Sequence, residues 1–365
     1  MDLLSIFRRR QYVLAVLALL VVLYIYFNSW APSTQDRDGR FPGISSEYHD
    51  VFASHAINST VIIVPVNTGM IYWVENMLCS LAETSFDVSR IVFWALDLAA
   101  QSTLVSKGRT AYYDPTLFAT SDNENRHGDT AAYKRMMNER PKFYVDVLSS
   151  GFDMLMLDAD TVFWQSPELF IPAAGQEDID VVYSTDAREF YQLHNAFEDE
   201  RRRGPYVPPI CNGIFWMRSS NRTIALWSEI LSTFQSPLFG TFLGRQGFQD
   251  DQRGMDVLLN DGRAQIAEPY PDGITSEMIA ESGRVQPYLN VQLLDQTMVA
   301  NGQLLMNRRE SYAQYLDELK QKGKNRISAH FNWNTKEVSK EDGAKQLGMI
   351  FANEEGACTG TRSGD

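Results

Sequence analysis

The sequence has no long block of basic residues, no internal repeat and only three cysteines. Each shortage narrows the function. Phosphate contacts need clustered Lys and Arg, and the net charge is −13, which argues against nucleic-acid binding. Neither G-x-G-x-x-G nor G-x-x-x-x-G-K-[ST] follows the first apolar run, which argues against a dinucleotide fold and a P-loop nucleotidase. Cys79, Cys211 and Cys358 allow at most one internal disulfide. Cys79 sits on an apolar helical face and is expected as a buried thiol.

What is present is an ordinary globular composition, 44% apolar and 22% charged over 365 residues, enough for a sizeable core. The N-terminus stands apart. Arg8, Arg9 and Arg10 precede the uncharged run Gln11 to Trp30, about the ~20 residues a membrane-spanning helix needs. Tyr24, Tyr26 and Trp30 suit the far interface, and positive charge stays cytosolic. The run exceeds a signal-peptide core of about 7–15 residues, so an uncleaved anchor is expected. Ala31 to Glu47, rich in Pro, Gly, Ser and charge, reads as a flexible stem. The sequons Asn58-Ser59-Thr60 and Asn221-Arg222-Thr223 fit a lumenal position. The expected divisions are a tail (1–10), an anchor (11–30), a stem (31–57), a catalytic domain (58–352) and a C-terminal tail (353–365).

The folded region opens at "VIIVPV", Val61 to Val66, a β-branched run typical of a strand buried on both faces. "MIYWVENMLCSLAE" places Ile71, Val74, Leu78 and Leu81 at helical spacing, and "RIVFWALD" returns to a strand. A helix is expected through "RPKFYVDVLSSG", with Pro141 near its start, leading into the strand "DMLMLD". Further strands are expected at "DIDVVYS", "NGIFWMR" and "NVQLLD", and helices at "RTIALWSEILSTF" and from Asp250 to Asn260. The pattern is α/β, with an open, mostly parallel central sheet flanked by helices. Ligands bind at the carboxyl ends of strands in such sheets, and Asn67, Thr68, Asp97, Asp158 and Asp160 fall at such ends.

Asp158 and Asp160 end an apolar strand and are followed by Thr-Val-Phe-Trp. Two other Asp-x-Asp triplets have blander settings: Asp36-Asp38 in the stem, and Asp178-Asp180 before a strand, where solvated acids are common. Two like charges at a buried strand end are costly without a cation, and a hard divalent ion with oxygen ligands removes the problem. Sugar transfer from a nucleotide diphosphate uses that device. So does phosphoryl transfer in haloacid-dehalogenase-like phosphatases, whose Asp-x-Asp-x-Thr/Val signature "DADTV" fits, with Asp158 as nucleophile and "QDDQ" at 249–252 as a downstream acidic pair. His330 and Lys336 offer an imidazole for the metal and an ammonium for phosphate, or a packed His and a solvated Lys.

Taken together, these segments resemble the nucleotide-diphospho-sugar transferase family of A-type glycosyltransferases, which holds α-galactosyl-, xylosyl- and arabinosyltransferases. The carriers run from about Val61 to Lys340: "VIIVPVNTGM", "NMLCSL", "IVFWALD", "KFYVDVLSSGFDMLMLDADTVFWQSP", "CNGIFWMRSS", "DDQRGMDVLL" and "AHFNWNTK". The resemblance implies an A-type glycosyltransferase fold, Mn2+ or Mg2+ at Asp158, Asp160 and His330, and Lys336 on the diphosphate. It implies a nucleotide-sugar site of Asn67, Thr68, Asp97, Lys142, Asp158, Asn212 and Gly213. Asp251 and Gln252 match the family's sugar-side pair, with Asp251 acting on the oxocarbenium-like carbon. Arg253 stands where a second Asp is common, and Asp256 where Asn is usual.

The implied activity is transfer from a nucleotide-diphosphate sugar, a UDP-sugar, to a glycan or glycoprotein with retention of configuration. The implied setting is a single-pass type II protein of the Golgi membrane. The phosphatase stays as an alternative, as does a non-catalytic lumenal binding protein on the same fold.

Overall fold

The computed structural model describes residues 46–115, 131–191, 207–235, 250–277, 289–333 and 338–359. Strand β1 (Thr60–Val66) is buried at every position. Its side chains alternate between two cores, Val61 and Ile63 on one face, Ile62, Val64 and Val66 on the other. β4 (Asp153–Leu157) splits in the same way, Met154 and Met156 against Leu155 and Leu157. A strand apolar on both faces needs cover on both faces, so the sheet lies in the middle.

β2 (Ile91–Ala95) and β3 (Ala111–Tyr112) extend the sheet on one side; β7 (Ile210–Met217), β6 (Val181–Thr185), β9 (Leu289–Leu293) and β8 (Ala264–Ile266) extend it on the other. The order is β3-β2-β1-β4-β7-β6-β9-β8. All pairings are parallel except the two made by β7. The α/β class and the open, mostly parallel sheet are therefore as expected. A second sheet of three short strands runs β10 (Val299–Asn301), β11 (Ser328–His330), β5 (Thr161–Phe163).

The helices α1 (Ser46–His55), α2 (Ile71–Ala82), α3 (Leu98–Ser106), α4 (Ala131–Ser149), α5 (Asn221–Gln235), α6 (Asp251–Leu258), α7 (Gly302–Asn307), α8 (Arg309–Gln321) and α9 (Lys340–Gln346) connect these strands. Pro141 lies inside α4 rather than near its start. An interior proline costs about 3 kcal/mol, and the apolar face that α4 buries through Phe143, Tyr144, Val147 and Leu148 offsets it. The ring of Phe143 stacks on Trp94 of β2 at 3.9 Å. α1 falls within the expected stem, yet Phe52 on it is wholly buried in the core.

Cys79 is not a lone buried thiol but is bonded to Cys358. The periodicity of α2 showed that the position faces inward; it could not show that the C-terminal segment returns to meet it. Asn76, one turn earlier, binds that segment too: its Nδ2 donates to the Met349 carbonyl at 3.2 Å, and its Oδ1 accepts from Phe351 N–H at 2.6 Å. Asp180 is likewise no solvated acid. It is fully buried and accepts from Asn290 N–H at 2.9 Å and from Arg222 at 2.5 Å.

The run Gln11–Trp30 lies outside the described residues, and among those residues no helix is long and apolar enough to cross a membrane. Replacing Cys79 and Cys358 together by Ala is expected to lower the unfolding free energy by about 2–4 kcal/mol. Denaturant unfolding of the oxidised protein and the double variant measures it.

Candidate active site

The sheet order sets β1, β4, β7 and β6 side by side. Three of them deliver their carboxyl ends to one edge; β7 runs the other way and brings its first residues there. Gly213 therefore faces Asp158, whose N–H donates to the Gly213 carbonyl at 2.6 Å. The groups surround a cavity of about 300 Å3 lined by Asn67, Asp158, Asp160, Asn212, Asp251 and His330 among others.

The small sheet supplies His330. Thr161, directly after Asp160, pairs with His330 across β5 and β11, and Phe331 N–H donates to the Asp160 carbonyl at 2.9 Å. The ring Nε2 then stands 3.2 Å from Asp160 Oδ1 and 3.5 Å from Asp158 Oδ2. One ligand atom from each of the three residues lies within 4.8 Å of the others. His330 Nε2 is buried without a well-aligned hydrogen bond, an orphaned donor atom aimed between two carboxylates. Two carboxylates and an imidazole nitrogen fit a divalent cation such as Mn2+ or Mg2+.

Gly213 makes this packing feasible. A Cβ there would lie 2.0 Å from His330 Cε1 and 2.7 Å from Asp158 Oδ2. On its other side the imidazole places Nδ1 3.5 Å from Cys211 Sγ, a buried thiol outside the disulfide. Burial opposes charge on His330, but Cys211, Asp160 and Asp158 outweigh it and raise the ring's basicity. Burial alone would raise Asp160; Lys340, with Nζ at 2.5 Å, and His330 reverse that and hold it well below the usual carboxylate range.

Arg140 links this cluster to a second one. Its Nη2 is 3.7 Å from Asp158 Oδ1 and its Nε 3.5 Å from Asp251 Oδ2, while Nε donates to the Tyr144 hydroxyl at 2.6 Å. Asp251 opens α6, which Asp250 caps by accepting from Arg253 N–H at 2.7 Å. Burial pushes the Asp251 carboxyl up to about 6, with Arg140 opposing and Asp250 and Asp158 adding to the rise. Gln252 accepts from Asn212 N–H at 3.1 Å and donates to Asp186 at 3.2 Å. Both polar side-chain atoms of Asn212, and Oδ2 of Asp251, are buried without a hydrogen-bond partner beside the cavity.

The structure thus gathers Asn67, Asp158, Asp160, Asn212, Gly213, Asp251, Gln252 and His330 around one space. It does not bring in three of the other expected residues. Thr68 donates to Asp97 from its N–H at 2.8 Å and its hydroxyl at 2.6 Å, and Asp97 also caps α3 through Ala100 N–H. That carboxylate is spent on local structure, and neither residue lines the cavity. Lys142 does not line it either; Arg140 does. Two helical residues differ by about 200° in direction, and Arg140 shares the buried face of Phe143, Tyr144 and Val147. An arginine in phase with that apolar face was the signal missed. Lys336 lies outside the described residues.

Gly213→Ala is expected to lower the unfolding free energy by about 1–3 kcal/mol, because the ring of His330 has to shift; thermal unfolding measures it. A second expectation concerns pH. Asp251 binds its proton more tightly in the folded chain, so the stability it contributes is present below about pH 4 and is lost as pH rises through about 6. Between pH 4 and pH 7 the native protein should lose on the order of 2 kcal/mol relative to Asp251→Asn. Paired denaturant titrations across that range measure the difference.

Residues 87–343 match the family model described as nucleotide-diphospho-sugar transferase. No curated protein sequence matches the chain. Among solved structures, galactosyltransferase LgtC in complex with donor and acceptor sugar analogs is 12% identical, with 80% of this chain and 98% of that chain covered, at a TM-score of 0.45. Mouse xyloside xylosyltransferase 1 in its apo form is 13% identical over 76% of this chain and 99% of that one, at 0.40. Core-mannan synthase A from Aspergillus fumigatus, in an Mn/GDP form, is 9% identical over 56% and 70%, at 0.34. The family match spans more than half of the sequence, and the chain belongs to the nucleotide-diphospho-sugar transferase family.

Proposed function

We propose that the chain transfers a sugar from a nucleotide-diphosphate donor, a UDP-sugar, to a glycan or glycoprotein, with retention of configuration. One observation carries this reading: a three-ligand cation cluster opens onto the same cavity as two buried, unsatisfied sugar-sized partners, Asn212 and Asp251. Asp158, Asp160 and His330 would hold Mn2+ or Mg2+, which when bound neutralises the diphosphate as it leaves.

The remaining work falls to this chain's own groups. Lys336 holds the diphosphate, and Arg140 adds positive charge between the phosphate end and the sugar end. Asn67 lines the nucleoside end, while Thr68 and Asp97 shape the loop that carries it. Asn212 hydrogen-bonds the transferred sugar. Asp251, kept near Arg140, stabilises or attacks its anomeric carbon, the role carboxylates take at glycosidic centres. Gln252 holds Asn212 and Asp186 in place.

The phosphatase alternative draws on the "DADTV" signature and on Asp250 and Asp251 lining the same cavity as Asp158, but the family match lies elsewhere. The site lies in the Golgi lumen, behind a single N-terminal anchor, in this proposal. Support comes from the Arg8–Arg10 and Gln11–Trp30 order, from exposed Asn58 and Asn221, and from the Cys79–Cys358 bond, which suits an oxidising compartment.

The test is UDP release from a panel of UDP-sugars with and without Mn2+. Asp160→Asn is expected to reduce Mn2+-dependent release by about a hundredfold or more while the protein still unfolds cooperatively. Undiminished release in that variant removes the metal assignment. No release from any UDP-sugar by the unaltered protein removes the transferase reading.

A further inference from the structure

We propose that Lys340 is a built-in counterion of the cation cluster: its ammonium holds Asp160 until a divalent cation takes that carboxylate, and so weakens the chain's affinity for the cation. The inference rests on the metal assignment of the transferase reading and adds to it a residue that sets how readily the site is loaded.

Each oxygen of the carboxylate pair meets a basic group of the chain. Asp158 Oδ1 lies 3.7 Å from Arg140 Nη2, and Asp158 Oδ2 lies 3.5 Å from His330 Nε2. Asp160 Oδ1 lies 3.2 Å from His330 Nε2, and Asp160 Oδ2 accepts from Lys340 Nζ at 2.5 Å. A cation joining Asp160 therefore meets an ammonium already on the same buried carboxylate. Like charges so close, and little screened by water, repel.

The three basic groups differ in their freedom to leave. Arg140 is buried, with Nε bonded to the Tyr144 hydroxyl at 2.6 Å and Nη2 to the Asn212 carbonyl at 3.4 Å. His330 is itself a ligand and is fixed by the pairing of β11 with β5. Lys340 keeps 19% of its side chain exposed, against 6% for Arg140 and 3% for His330. It lines the cavity, and its long stem lets the ammonium withdraw into water.

The helix that carries Lys340 does not call for a cation there. Lys340 opens α9, at the end where the helix dipole favours negative groups, and Glu341 and Asp342 follow it in the same turn. The helix is capped without it, since Ser339 Oγ accepts from Asp342 N–H at 3.1 Å. The carboxylate 180 residues earlier accounts for the lysine. A buried carboxylate short of a counter-charge is strongly destabilising, and the ammonium supplies that charge before a cation does.

Isothermal titration of Mn2+ into the full-length protein, without nucleotide, tests this apart from any transfer activity. Lys340→Met, which keeps an apolar stem and drops the charge, is expected to tighten the Mn2+ Kd by about tenfold. An unchanged Kd overturns the proposal, and a weaker one overturns it by making Lys340 a support of the cluster. A second measurement needs no substitution. Acetylation of Lys340 by acetic anhydride in the unaltered protein, read by peptide mass spectrometry, should rise about threefold or more when Mn2+ is added. Lys322, which pairs with Asp272 and does not line the cavity, is the internal reference. No rise at Lys340 relative to Lys322 overturns the proposal even where Lys340→Met fails to fold. Failure of Mn2+ to bind either protein removes the metal assignment and the counterion with it. Mn2+ binding with these shifts, but no UDP release from any donor, removes the transferase reading and leaves the counterion standing.

Discussion

The buried carboxylate of Asp160, with Asp158 beside it, organises this molecule around the cationic and imidazole groups it requires. They follow a strand buried on both faces, and Asp160 is buried with it, so water does little to screen its charge, while Asp158 stays partly exposed. Positive groups have to come from elsewhere in the chain, and three do. Arg140 arrives from the helix before the strand; His330 and Lys340 arrive from the far C-terminal third. The three-stranded sheet is the device that returns the third to the first, since β5 begins one residue after Asp160 and pairs directly with the strand that ends in His330. Fold and site are thus one problem. The chain closes where the two carboxylates need partners.

The reversal of β7 answers a second need. A purely parallel sheet would bring only strand ends and following loops to the cavity. An antiparallel strand adds ordered main chain at the same edge, hydrogen-bonded to β4 and β6. Cys211, Asn212 and Gly213 accordingly meet the site as strand residues, with little freedom to move. Gly213 brings the imidazole closer than any side chain would permit, and Asn212 enters the cavity from a fixed backbone. Preorganisation of this kind removes reorganisation cost at the moment of reaction.

Much of this was legible in the sequence because the central strands are long apolar runs. "VIIVPV", "IVFWA" and "DMLML" fill both cores, and their ends named Asn67, Asp158 and Asp160 at once. The three-residue strands β5, β10 and β11 fall below any periodicity window, so the residues alone left His330 open between a metal ligand and a packed histidine, and only the family resemblance tied it to Asp160. Asp97 lies off the cavity for a different reason. A strand end is also a helix start, and the same carboxylate that could meet a ligand instead caps α3 and binds Thr68. Lys142 lies off the cavity because it is out of helical phase with Arg140. Cys79 misled because its bonding partner lies 279 residues away.

Buried side-chain atoms without a hydrogen bond occur elsewhere in the described scaffold, as at Ser149 and Tyr183, but several of them meet around this one cavity. Burying a polar atom without a partner costs about 1–3 kcal/mol, and folded chains rarely tolerate several together. Here both polar atoms of Asn212 lack hydrogen bonds, and Oδ2 of Asp251 and Nε2 of His330 have only ion-pair contacts, to Arg140 and to Asp158 and Asp160, around one cavity. Buried Asp180, by contrast, is braced by Asn290 and Arg222 and does not line this cavity. Both acids sit in Asp-rich stretches, and net charge cannot tell them apart. The difference is that Asp180 completes its bonds within the fold, whereas Asp251, beside Arg140 at 3.5 Å, also lines a cavity where an incoming hydroxyl can reach it.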